Sequence, residues 1–201
     1  MNANNNAKRE IITINDSSSE VLGRAENSAM EVAKFLLSLD PKNSQGLREY
    51  FTLRPISLGE EYESLPIEGN FRLNKLLHMC QIFHGIEYGK PLFRERMEAF
   101  KHGAIVYSVR MNFIQLWFLP IGDLVTNINK KTQHFIHSVY NYFHDNYKND
   151  NEALYNFSHQ DPAWGLGLER EGGLMPLNRK LITYYKKFFD DTLEEIKENR
   201  T

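Results

Sequence analysis

The chain has 201 residues, with 26 acidic and 24 basic side chains for a formal net charge of −2 and a hydrophobic content of 41%. That near-balance argues against a protein whose main work is gripping phosphate backbones, so no direct nucleic-acid binding is expected. The length suits one domain, and 13 Phe and 10 Tyr give it core material that needs no disulfide staples.

Cys80 is the single cysteine, so no intrachain disulfide can form and a reducing, cytoplasmic setting is expected. The segment Met1 to Asn6 lacks the apolar run of a signal peptide. The most apolar stretch, Phe113 to Leu124, is interrupted by Pro120, Gly122 and Asp123 and is too short to cross a bilayer.

Residues 1–27 are polar and weakly periodic and read as a flexible N-terminal arm, with Ile11-Ile12-Thr13-Ile14 as a candidate edge strand. Ser28-Ala29-Met30-Glu31 has the form of a capping box, and Ala29, Val32, Ala33, Leu36 and Leu37 then share a helical face up to Asp40-Pro41. Residues 41–69, with Pro55, Gly59, Pro66 and Gly69, read as a long inserted loop with one helical turn around Gln45–Phe51.

The strongest apolar helix follows. Leu73, Leu76, Leu77, Cys80, Phe83 and His84 share one face, while Met79, Ile82 and Ile86 widen it, as in a helix contacted from several sides. Gly89 and Pro91 stop it. Phe93 to Lys101 reads as a short strand or a helical turn, Gly103 as a turn, and Ile105 to Leu119 as a helix closed by Pro120. Ile136, Val139, Tyr140, Phe143 and Tyr147 mark a further helix, and Glu152 to His159 a shorter one ended by Asp161-Pro162. A glycine-rich loop from Gly165 to Gly173 leads to a last helix beginning near Pro176, with Leu181, Tyr185, Phe188, Phe189, Thr192 and Ile196 as its inner face. The expected fold is mainly α: a compact single-domain bundle of about six helices over residues 28–201, with a small β element.

Catalytic and metal motifs are not legible. Gly165-Leu166-Gly167-Leu168-Glu169-Arg170 begins like a dinucleotide loop, but Arg170 stands where the third glycine belongs, and no βαβ pattern surrounds it. Cys80 and His84 have the spacing of two metal ligands, yet a structural zinc site needs four, and a thiol on an apolar face behaves as a small hydrophobe. His134, His137 and His144-Asp145 form a polar helix face. A His-Asp pair is also how metal-dependent phosphohydrolases of the HD type hold their metals, so His137, His144 and Asp145 define an enzymatic alternative. The main expectation is no catalytic residue, no metal and no cofactor.

Several stretches in order carry a family likeness. Leu73-Asn74-Lys75-Leu76-Leu77-His78, Gly89-Lys90-Pro91-Leu92-Phe93, Glu98-Ala99-Phe100-Lys101-His102-Gly103 and, downstream, Ser158-His159 with Pro162-Ala163-Trp164 resemble the Panacea domain, the SocA-like antitoxin domain also called phage-associated protein. His78, Phe100 and His102 depart from that pattern by replacing Tyr, Trp and Tyr, and Ala104 replaces a turn proline. The resemblance implies an antitoxin that neutralises a cognate protein toxin, encoded by an adjacent gene, through direct contact; an accessory protein of a phage or mobile element without a toxin partner is a further alternative. Lys101, His102, Gly103 and Trp164 are the expected partner-binding residues, grouped near a shared groove. Lys75 is expected to be a polar member of a buried helix, paired with a carboxylate.

Overall fold

The computed structural model describes residues 22–57 and 66–198. The Ile11–Ile14 stretch lies outside the described residues. The described chain forms seven α-helices, a two-stranded hairpin and two short 3-10 turns.

Helix α1 (Ala29–Ser38) starts at the expected capping box: Ser28 Oγ accepts from the Glu31 N–H at 3.2 Å, and the Glu31 carboxylate accepts from the Ser28 N–H at 2.8 Å. The five apolar positions expected on its inner face are all buried, and Met30 and Phe35 are partly so. Ahead of it, Asn27 is buried and its Nδ2 donates to the Leu92 carbonyl at 2.9 Å. That contact ties the last described residues of the polar arm to the body.

No helical turn forms over Gln45–Phe51. Asn43 Oδ1 instead accepts from the Gln45 and Leu47 N–H groups, a side-chain-mediated turn that competes with helix. Tyr50 and Phe51 then enter the core, their N–H groups held by the Asp40 carboxylate at 2.9 and 2.8 Å.

Helix α2 (Glu68–Tyr88) is the central strut. It starts five residues before Leu73, and every position from Glu68 to Gly85 except Asn70 is buried. Helices α1, α3 (Tyr107–Phe118), α4 (Lys130–Tyr147), α5 (Asn151–Ser158) and α7 (Arg179–Glu198) all pack on it, as does strand β2 (Gly103–Ile105). The undecided Phe93–Lys101 segment resolves into β1 (Glu98–Phe100), antiparallel to β2 with Phe100 opposite Gly103, so Lys101 and His102 form a two-residue turn. The α3 helix therefore begins after Val106, later than the apolar pattern suggested.

Three expectations are corrected in the C-terminal third. The glycine-rich segment is not all loop: α6 (Pro162–Leu168) occupies its first part, with Asp161 as N-cap and Pro162 in the first turn. A Cβ on Gly167 would lie 2.7 Å from Ala99 Cβ, so the glycine allows α6 to lie close against β1. The last helix begins at Arg179 rather than near Pro176, because Asn178 Oδ1 accepts from the Leu181 N–H at 2.9 Å. On α7 the buried face is Leu181, Tyr185, Phe189, Leu193 and Ile196. Phe188 instead lies exposed and stacks on Tyr184.

Candidate functional site

A helix buried on all sides must satisfy its polar side chains within the protein. Most of those on α2 meet that demand. Arg72 binds the Glu68 carboxylate at 2.8 Å, the Lys148 carbonyl at 2.6 Å and Asn151 Oδ1 at 2.9 Å. Asn74 Oδ1 accepts from the Val106 N–H, and Gln81 Oε1 accepts from the Leu92 N–H. His78 Nε2 lies 2.6 Å from Asp161 Oδ2, while Asp161 Oδ1 accepts from the Tyr185 hydroxyl at 2.6 Å.

Two groups fall short: His78 Nδ1 has no hydrogen-bond partner among the described residues, and Lys75 has no counter-charge among them. Lys75 is 1% exposed, yet among the described residues no carboxylate lies within ion-pair distance. The expected carboxylate partner is replaced by a neutral one: Nζ donates to the His102 carbonyl at 2.6 Å. The Phe71 and Tyr155 rings flank the amine at 5.2 and 5.4 Å. Burial without a counter-charge pushes the amine down to about 7, because desolvation disfavours the charged form. A single neutral acceptor leaves further hydrogens on the nitrogen unused.

The hairpin makes room for that amine. Gly103 sits at φ +112°, and a Cβ there would overlap Lys75 Nζ, so glycine is required by both backbone and space. Beside it lies a cavity of about 300 Å³ lined by Lys75, Phe71, Asn74, Phe100, His102 and Arg110, among others. Of its described lining residues none is acidic. His159 lies near Gly103, where a Cβ would come within 3.3 Å of its Cε1; it stacks on Tyr155 at 3.8 Å with its Nδ1 donating to the Tyr155 carbonyl at 2.6 Å. Burial, with a contribution from Lys75, lowers His159 to about 4.

Of the four expected contact residues, three share the cavity and Trp164 does not. Lys101, His102 and Gly103 line the cavity together. Trp164 stands behind the hairpin: its Nε1 donates to the Phe100 carbonyl at 2.8 Å, and its ring meets His159 edge-on at 4.1 Å. It is a brace for the hairpin rather than a wall of the cavity.

The other candidates are dispersed. His134 and His137 are exposed on α4, and His144 stacks on Tyr140 with its Nδ1 2.9 Å from Asp145 Oδ1. Among the described residues no three His, Cys, Asp or Glu side chains come together as a metal site. Cys80 is a buried thiol pushed well up by desolvation. His84 lies against Phe135 and Tyr88, donates from Nδ1 to the Lys90 carbonyl at 2.8 Å, and is lowered to about 4 by burial.

A second surface feature was not legible in the sequence. Helix α3 buries Val109, Phe113, Leu116 and Trp117, while Tyr107, Met111, Ile114 and Phe118 form an outward stripe at helical spacing, and beyond Pro120 Ile121 and Val125 are also exposed. These six are 44–77% exposed. Its upper end reaches the cavity, where Arg110 lies over the Phe100 ring at 4.7 Å. From Ala99 to Gly122 the chain carries no acidic residue. Lys42 sits over the Trp117 ring at the lower end.

No protein-family model matches this chain, and neither the curated proteins nor the solved structures contain a significant match to it. Among the described residues no helix is long and apolar enough to cross a membrane.

Proposed function

We propose that the protein is an antitoxin that binds and neutralises a cognate protein toxin, with the outward stripe of α3 as the contact surface. The carrying observation is that stripe: four large apolar side chains stand exposed on one face of α3, outside the buried core cluster, with exposed Ile121 and Val125 following in sequence. A contiguous apolar surface of this kind marks an interaction site. Its charge environment selects the partner. With Lys42 at one end of the α3 face, Arg110 at the other, and exposed Asp123 lying beyond Pro120, the complementary face is apolar with an acidic rim. The likeness of the Leu73–His78 and Glu98–Gly103 segments to the SocA-like antitoxin domain favours a toxin as that partner. Binding, not catalysis, is the activity this reading assigns.

The test is co-expression with the product of each adjacent reading frame, followed by pull-down. A neighbour that arrests growth alone, is tolerated with this protein and co-purifies with it is the expected result. Ile114→Glu should then cost about 3 kcal/mol of binding, roughly a hundredfold in affinity, while shifting stability by no more than about 0.5 kcal/mol. Full binding and neutralisation by both Ile114→Glu and Met111→Glu would remove α3 from the interface. No toxic or co-purifying neighbour would overturn the antitoxin reading.

A further inference from the structure

We infer that the cavity at Lys75 is a binding site for a single carboxylate carried on an apolar or aromatic body. The inference stands apart from the antitoxin reading and does not need α3 to bind anything.

Three observations lead to it. First, Lys75 is fully buried, donates to one neutral carbonyl and has no described acidic group in range. A buried amine in that position is under-compensated, and its complement is an anion. Second, space is kept open beside it. Gly103 gives the amine its own room, and beside it Lys75 lines a cavity of about 300 Å³, large enough for a ring-sized ligand. Third, the walls specify the kind of anion. Pro66, Ile67, Phe71, Phe100 and Ile105 are apolar, so they suit a hydrophobic body. Among the described residues the charged and titratable groups around the amine are His102 and Lys101 from the hairpin, Arg110 from α3, and Tyr155 and His159 from α5 and its end, with no carboxylate among them. One inward cation with its other charges at the rim matches a monoanion, whereas a phosphate group would call for more inward donors.

Binding has a proton signature. An amine that is largely neutral above pH 7 must take up a proton to pair with a carboxylate. Ligation at pH 8 should therefore consume close to one proton, and ligation at pH 6 close to none.

The test uses phenylacetate as the free acid, its uncharged analogue phenylacetamide, and the capped dipeptide N-acetyl-aspartyl-phenylalaninamide as a protein-borne acid. Calorimetry in buffers of different ionisation enthalpy at pH 6 and pH 8 reads both affinity and proton uptake. Saturable binding of an acid probe is expected, at least tenfold tighter than phenylacetamide, with the larger proton uptake at pH 8. Binding of phenylacetate alone would assign a small-molecule acid, and binding of the dipeptide would assign an acidic side chain of a partner; either supports the site. In Lys75→Met the acid should lose at least tenfold in affinity, with circular dichroism melting to establish that the variant is folded. The inference is overturned if neither acid saturates at millimolar concentration in the wild-type protein. It also fails if phenylacetamide binds as well as phenylacetate, or if proton uptake is the same at both pH values.

Discussion

Lys75→Met is the substitution that weighs the central oddity of this fold. The lysine amine, ordinarily near 10.5, is brought down to about 7 by burial. The sign follows from proton counting. Between pH 7 and 10.5 the unfolded chain holds a proton on this side chain that the folded chain does not, so wild-type stability rises with pH across that window. Below pH 7 the full cost of charging a buried amine is borne by the folded state. Methionine has similar length and no titration, so its advantage over lysine should be largest at pH 6 and should shrink by about 5 kcal/mol towards pH 10.5, at ~1.4 kcal/mol per unit. The orphaned His102 carbonyl offsets about 1 kcal/mol of the gain at every pH. Equilibrium urea unfolding of both proteins at pH 6, 8 and 9.5 measures the difference, in which all other titrating groups cancel. A gain that stays flat between pH 6 and 9.5, or a variant less stable than wild type at pH 6, would refute the reasoning. Lys75→Arg provides the opposite control. It stays charged throughout and should be destabilised most at the alkaline end.

Other perturbations test the surrounding frame. Gly103→Ala should cost at least ~1 kcal/mol, since alanine is disfavoured at φ +112°; the cost should lessen in a Lys75→Ala background, where the overlap with Nζ is gone, as a double-mutant unfolding cycle would show. Arg72→Ala removes one of the two cations on the buried Glu68 carboxylate, leaving Arg54 at 2.8 Å, and orphans the Lys148 carbonyl; it should lose ~1–3 kcal/mol in urea unfolding. For His84, held at about 4 by burial, the unfolded chain takes its proton first as pH falls, so stability is full above pH 6.5 and declines towards pH 4; His84→Gln should flatten that acid limb in melts run from pH 7 to pH 4.

Much of the helical frame was legible because the local signals were strong. The Ser28–Glu31 capping box, the dense apolar face after Leu73 and the Gly89-Pro91 stop all act within a few residues, and each appears where the pattern puts it. The misreadings arose where tertiary contacts outweighed local preference. Gly165 and Gly167 suggest a loop, yet Asp161 caps and Pro162 starts a helix whose small residues let it press against β1. Phe188 follows the helical period of α7 but faces outward with Tyr184. On α3 the apolar residues run around the whole helix, so periodicity alone gives no means of separating the buried Val109 and Phe113 from the exposed Met111 and Ile114. The convergence of Lys101, His102 and Gly103 followed from their adjacency in sequence. The Asp161–His78–Tyr185 set was hidden, because its members are 83 and 24 residues apart.

What joins these pieces is a spacing within α2. Arg72, Lys75, His78, Gln81 and His84 recur every third residue, and in a helix of 3.6 residues per turn each step of three falls about 60° short of a full turn. The polar row therefore winds around the buried helix and meets a different neighbour at each rung. Arg72 holds the end of α4 through the Lys148 carbonyl, Lys75 the hairpin through the His102 carbonyl, and His78 the start of α6 through Asp161. Gln81 then holds the Leu92–Phe93 segment, and His84 the Lys90 carbonyl just before it. One helix in this way fixes the positions of most loops that reach the centre, and it does so without a strongly one-sided face. Within that row Lys75 stands apart. Arg72 and His78 meet carboxylates, while Gln81 and His84 are neutral groups meeting neutral partners. Lys75 alone sets an ionisable amine against a lone carbonyl beside open space. A purely structural rung at that position would be served by Gln at lower cost, so the lysine is best explained by a charge that the described residues do not supply.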